Sequence, residues 1–340
     1  MIRNSSVEGA GLTELTGQGT GAVRHARKRG RKSLTAAILV SAAILLAVLS
    51  SLFLIKSEST SISPDDNYTV VRLPGVHLLF HGAAGGDPDF RFIDAGNGSP
   101  PEISTLTSCH RKYAALISAQ GVKIYDHGRQ VSEYENDKQM ETLSSCIADY
   151  DGDGNDDLFL LLKRHGQEYG ERLIIVSFDG EKTEKAYDES FQKVNPWKVQ
   201  VCDVDGDGKP EVSLGVYTVA KYHPVYAKRP FLYEFSNHQL YPKWLGSRLS
   251  RPFDDYVFCD VNDDGKDELI ATETTREGKK ELNAYQWTGF GFESIGVSPS
   301  YDTISSLRAS HGSVTAVCCT QAASVPKVFI YRNEELAVEG

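Results

Sequence analysis

Methionine is scarce in this chain, two of 340 residues, and tryptophan nearly so at three, whereas glycine is frequent at 30. That balance suits short strands joined by turns better than a helical core. The motifs of several enzyme classes are missing. There is no G-x-S-x-G nucleophile elbow, no H-E-x-x-H zinc helix and no G-x-x-x-x-G-K-[ST] phosphate loop. The six cysteines contain no C-x-x-C and no Cys/His metal spacing, and Cys202 and Cys259 each stand directly before an aspartate as small apolar residues of a strand would. Of the nine histidines only His77 and His81 are close, and the β-like pattern around them does not place both on one helix face. Gly289-Phe290-Gly291 lacks the third glycine and the strand–helix context of a dinucleotide fingerprint, so it is a turn.

What the chain has instead is an acidic turn written three times. It reads Asp149-Tyr150-Asp151-Gly152-Asp153-Gly154-Asn155-Asp156-Asp157, then Asp203-Val204-Asp205-Gly206-Asp207-Gly208-Lys209-Pro210-Glu211, then Asp260-Val261-Asn262-Asp263-Asp264-Gly265-Lys266-Asp267-Glu268. The shared rule is D-x-[DN]-x-D-G-x-x-[DE]. Oxygens at positions 1, 3 and 5 converge if the backbone curls, and glycine at position 6 permits the positive φ that curls it. Hard Ca²⁺ takes six to eight oxygens. Asp and Gly are also ordinary solvated-turn residues, but three copies at constant spacing argue for a common role. An EF-hand would place glutamate at position 12 between two helices. Here position 12 is Leu160, Leu214 or Ala271, the acid falls at position 9, and the runs that follow are short, β-branched and apolar. Each loop therefore joins strand to strand.

Loops of this form, each running into an apolar strand and recurring every fifty to sixty residues, resemble the FG-GAP/VCBS repeats known from integrin α heads and many bacterial surface proteins. The resemblance implies a β-propeller with Ca²⁺ in about three loops. The ligands would be the side chains of Asp149, Asp151, Asp153 and Asp157; of Asp203, Asp205, Asp207 and Glu211; and of Asp260, Asn262, Asp264 and Glu268. The carbonyls of Asn155, Lys209 and Lys266 at position 7 would complete each shell.

The net charge of −10 conceals two regions. Residues 1–55 hold seven Lys/Arg against two acids, a net +5, and the remainder holds 29 against 44, a net −15. An acidic body attracts cations and excludes nucleic acid as a partner. Residues 1–33 are a polar, Gly/Ser/Thr-rich tail ending in the basic cluster Arg24–Lys32. Residues 34–55 contain no charge, and as a helix they would span about 33 Å, enough for a bilayer core. A cleaved signal peptide is the alternative, but the run is long and no A-x-A site follows. The expectation is a single-pass type II signal anchor with the basic tail in the cytoplasm and residues 56–340 outside the membrane. Residues 56–66 read as a polar stalk.

Residues 67–340 read as all-β. Besides the loops, one strand type recurs, at Val122–Gly128, Leu173–Gly180, Phe231–Asn237, Leu282–Gly289 and Val328–Asn333. Asp94 and Glu102 bracket what looks like a worn fourth copy of the acidic turn. Loop starts at 94, 149, 203 and 260 then give intervals of 55, 54 and 57, the period of propeller blades. Five blades are expected, within a range of four to seven, with the strands before Asp94 completing the last one. The functional expectation is a membrane-anchored binding, adhesion or scaffold module for a protein or glycan ligand, without catalysis. A propeller enzyme acting on carbohydrate, or a ligand-sensing receptor, are the alternatives, since fold does not settle function. Tyr217, Tyr222, Tyr226, Trp197 and Trp244 are packing residues or the lining of a ligand face.

Overall fold

The computed structural model describes residues 56–63, 66–73, 76–82, 91–97, 101–310, 312–321 and 323–339. The expected tail and anchor, residues 1–33 and 34–55, lie outside them. Among the described residues no helix is long and apolar enough to cross a membrane.

Among the described residues, six four-stranded antiparallel sheets follow one another in sequence. Sheet 1 is β1 (Lys56–Ser63), β2 (Asp66–Leu73), β3 (Val76–His81) and β4 (Arg91–Asn97). Sheet 2 is β5 (Glu102–Ser108), β6 (Arg111–Ser118), β7 (Gly121–Asp126) and β8 (Arg129–Glu135). Sheet 3 is β9 (Met140–Ala148), β10 (Asp157–Arg164), β11 (Arg172–Phe178) and β12 (Thr183–Ser190). Sheet 4 is β13 (Pro196–Cys202), β14 (Glu211–Ala220), β15 (His223–Ser236) and β16 (Gln239–Trp244). Sheet 5 is β17 (Phe253–Cys259), β18 (Glu268–Thr274), β19 (Lys280–Trp287) and β20 (Phe292–Val297). Sheet 6 is β21 (Thr303–Ser310), β22 (Ser313–Cys319), β23 (Ser324–Arg332) and β24 (Glu335–Val338). In every sheet the strands pair in chain order.

Adjacent sheets share cores. The run Leu158–Leu162 in β10 shows how the sequence does this. Side chains alternate across a strand, so Leu158, Leu160 and Leu162 enter the core shared with sheet 2 while Phe159 and Leu161 enter the core shared with sheet 4. A strand covered on both faces reads as an unbroken apolar run. Each of these side chains contributes roughly 1.5–3 kcal/mol by leaving water. Further cores join sheets 1 and 2, 4 and 5, and 5 and 6. First strands adjoin one another. The Val199 N–H donates to Ser144 Oγ at 3.1 Å, Gln200 and Lys198 both donate to the Tyr256 carbonyl, and β17 packs on β21. A cavity of about 230 Å³, lined by Glu58, Arg72, Glu102 and Arg308 among others, brings the sixth sheet beside the first two. The arrangement is propeller-like.

Three expectations need correction. Among the described residues there are six sheets rather than five, a number inside the expected range, and the additional one is sheet 1. Lys56–Ser63, expected within a stalk, forms β1 of that sheet. The strands before Asp94 do not complete the last blade, because sheet 6 has four strands of its own. The count of five extended the spacing of the acidic loops to the whole chain, whereas sheets 1, 2 and 6 lack the inserted loop and are shorter. Asp94 lies within β4 rather than in a turn between first and second strands, so its 55-residue distance from Asp149 is a coincidence of spacing. The recurrent strand was read correctly: its five copies are β7, β11, β15, β19 and β23, the third strands of sheets 2 to 6.

Candidate metal-binding loops

The three acidic loops occupy equivalent places, between the first and second strands of sheets 3, 4 and 5. Sheet 2 spans the same gap with the two residues Cys109 and His110, both left-handed, at φ 50° and 60°, as a two-residue hairpin requires. The acidic loops are thus insertions into what is otherwise a tight turn.

Each loop curls by the same backbone route. Positions 4 and 6 are left-handed: Gly152 and Gly154, Gly206 and Gly208, Asp263 and Gly265. The aspartate at position 1 holds the curl. Asp149 accepts N–H bonds from Gly152 at 2.8 Å and Gly154 at 2.9 Å, and Asp203 does the same with Gly206 and Gly208 at 2.8 and 2.9 Å. Asp260 accepts from Asp264 and Gly265 at 3.1 and 3.0 Å. The position 5 carboxylates of Asp153, Asp207 and Asp264 accept the position 7 N–H of Asn155, Lys209 and Lys266.

The curl brings together one carboxylate oxygen each from Asp149, Asp151 and Asp153 within 4.8 Å, and likewise from Asp203, Asp205 and Asp207. In the third loop the middle residue is an amide. Asn262 accepts from the Asp264 N–H at 3.0 Å and donates to Asp264 at 3.3 Å and to Glu268 at 3.1 Å. The position 9 acids open the second strands and are buried: Asp157, Glu211 and Glu268 are 5%, 1% and 0% exposed. Burial pushes the Asp157 carboxyl up to about 7 against a hydrogen bond from Ser177, and the charges of Asp151, Asp153 and Asp149 add to the rise. Burial likewise lifts Glu268 to about 7, opposed by the Val261 N–H and reinforced by Asp264 and Asp260. Among the described residues no lysine or arginine pairs with any acid of the first or third loop. Such a buried carboxylate ionises readily only when a cation joins it, and the oxygen-only donor set suits a hard divalent ion.

The second loop differs. Lys243, on β16, places its ammonium 2.5 Å from Asp205, in contact with Glu211 and 3.6 Å from Glu234. Burial would lower the lysine's pKa, but its two close carboxylates outweigh that and raise it. Nothing in the local sequence announces Lys243; only the pairing of β15 with β16 brings it to the loop. Position 8 was overlooked although it was legible. Asp156 and Asp267 each reach back to the preceding sheet. Asp156 accepts the Thr107 N–H at 2.6 Å while its own N–H donates to the Thr107 carbonyl at 2.7 Å. Asp267 does the same with Asp203, at 2.9 and 2.8 Å. Pro210 holds this position in the second loop and has no N–H to give.

The aromatic residues divide. Trp197 and Trp244 pack against the core shared by sheets 4 and 5. Tyr217 and Tyr226 belong to a long hairpin of β14 and β15; Tyr217 stacks on Tyr169 at 5.5 Å and meets Tyr226 at a tilt at 5.6 Å. Tyr222 is exposed at the hairpin tip. Beneath the tip Arg229 is fully buried; its Nε donates to the Thr218 carbonyl, and the two hydrogens of Nη2 are shared among the carbonyls of His223 and Val225 and the His223 ring. The six cysteines are free thiols; Cys202 and Cys259 are buried as expected, but Cys109 is exposed.

Fold and loops together define a propeller-like all-β protein with acidic turns at one set of strand connections. Residues 149–213 match the FG-GAP-like repeat. No curated protein matches the chain. Among solved structures, BBS1N in complex with ARL6DN is similar at 11% identity and a TM-score of 0.46, over 82% of this chain and 93% of that one. A protein provisionally assigned as a 6-phosphogluconolactonase, from Bacteroides uniformis, is similar at 10% identity and a TM-score of 0.47, over 81% of this chain and 80% of that one. Likenesses this distant have no bearing on what the chain does.

Proposed function

We propose that the chain is a calcium-binding, FG-GAP-like propeller carried outside a membrane by residues 34–55, and that it serves as a binding or scaffold module for a protein or glycan ligand. The observation that supports calcium is the convergence of Asp149, Asp151 and Asp153 near the buried Asp157, which has no lysine or arginine partner among the described residues. In the first loop these four side chains and the Asn155 carbonyl would hold the ion. In the third, Asp260, Asn262, Asp264, Glu268 and the Lys266 carbonyl would do so. The ion's role is to neutralise the buried acid that opens each second strand, and so to fix the turn.

The test is thermal unfolding of the full-length chain in detergent, in EDTA and in 10 mM CaCl₂. Exterior calcium sites have dissociation constants on the order of 10⁻⁴–10⁻³ M, so such a concentration stabilises each site by roughly 1.4–2.7 kcal/mol. The melting temperature should rise with calcium, and Asp151→Ala with Asp153→Ala should remove part of the rise. An identical melt in EDTA and calcium refutes the reading.

A further inference from the structure

The first and third loops gather acids with no cation among them, whereas the second already contains one. We propose that Lys243 is the built-in counter-cation of the second loop, so that this loop is closed by an ammonium and the chain takes up calcium only at the first and third. The inference rests on the calcium reading above and narrows it from three sites to two.

Three observations support it. Lys243 contacts the acids at positions 3 and 9, Asp205 and Glu211, two of the four side chains that the second loop could offer an ion. Its side chain is only 12% exposed, and the Glu211 side chain is buried as well. The pair is therefore shielded from the water and salt that weaken a surface contact. The residue is also peculiar to this sheet. Lys243 lies at the irregularity where β16 pairs with β15, between the partners Tyr233↔Pro242 and Leu232↔Trp244. The matching irregularities fall at Ala186 in sheet 3 and Ile295 in sheet 5. Neither of those side chains carries charge, so the other two loops lack this device.

An ion entering the second loop would have to displace a buried ammonium from two carboxylates. Expelling Lys243 would leave its charge to find water from a position on the strand that faces the loop. The second loop therefore keeps its curl without calcium, and β16 is tied to it by the same contact.

The test is isothermal titration of CaCl₂ into the full-length, detergent-solubilised chain after dialysis against EDTA. The natural chain should take up two ions. Lys243→Met, which keeps the length of the side chain and removes its charge, should take up three, and Lys243→Arg should stay at two. Asp207→Ala, which touches the second loop without touching Lys243, should leave the count at two even if Lys243→Met fails to fold. Three ions on the natural chain, a count that drops with Asp207→Ala, or a folded Lys243→Met that gains none each overturns the proposal. In those cases calcium binding at the other loops stands. No uptake by any variant overturns this proposal together with the calcium reading.

Discussion

Asp267 separates a hydrogen bond from a charge more cleanly than any other residue in the loops. Its carboxylate accepts the Asp203 N–H at 2.9 Å and its own N–H donates back to the Asp203 carbonyl at 2.8 Å, which clasps the third loop to the second. Burial raises its pKa, and the charges of Asp203 and Asp260 push the same way. Asp267→Ala removes the acceptor and leaves a part-buried N–H on Asp203 without a partner. Such an orphan costs about 1–3 kcal/mol. Asp267→Asn keeps an acceptor oxygen and removes a like charge from an acidic neighbourhood, so it should be neutral or mildly stabilising in EDTA. For a domain of this size roughly 2–4 °C of melting temperature accompanies each kcal/mol. The alanine variant should therefore melt about 2–12 °C lower and the asparagine variant at or above the natural chain, read by far-ultraviolet circular dichroism in EDTA. Equal losses in both variants would mean that the charge holds the clasp. No loss in alanine would mean that the clasp holds nothing.

Leu160→Ala in β10 should destabilise by about 2–5 kcal/mol, since the side chain is fully buried in the core between sheets 2 and 3; denaturant unfolding measures it, and a loss under 1 kcal/mol would contradict the packing described. In EDTA, stability should fall as pH rises from about 4.5 to 7. Asp157 and Glu268 keep their protons in the folded chain up to about pH 7 but lose them near 3.8 and 4.5 when unfolded, so over that window the folded state binds more protons and ionisation works against it. The combined Asp157→Asn and Glu268→Gln variant should flatten this dependence in melts between pH 5.5 and 8; an unchanged slope would place the dependence elsewhere.

The loops were legible in the sequence because their chemistry is local. Positions 1, 3 and 5 lie within five residues of one another, and the turn's own hydrogen bonds bring them together. β10, β14 and β18 were legible for a related reason: strands covered on both faces are rich in apolar and β-branched residues behind each loop, without a break from Leu158 to Leu162 in β10. Sheet 1 was legible only in part: strands were expected before Asp94, where β2 and β3 lie, but they were given to the last blade because the sheet has no acidic loop and its opening strand no apolar run. Its first strand, Lys-Ser-Glu-Ser-Thr-Ser-Ile-Ser from Lys56 to Ser63, is polar at almost every position and buries only Ile62 into the neighbouring core. Lys243 was out of reach for a different reason. It stands 32 positions beyond Glu211 and meets it only through the pairing of β14 with β15 and of β15 with β16. A partner brought by sheet pairing leaves no trace in local spacing.

The buried guanidinium of Arg229 bears on how the hairpin tip above it behaves. Thr218 on one arm and His223 and Val225 on the other are tied to one planar group through its Nε and Nη2, while Nη1 is buried with no partner among the described residues, so flexing the tip would cost the charge the partners it has. Tyr222 and its neighbours are thus presented on a stiff finger. A partner grasping that finger would meet a shape fixed in advance and would give up little entropy in arranging it.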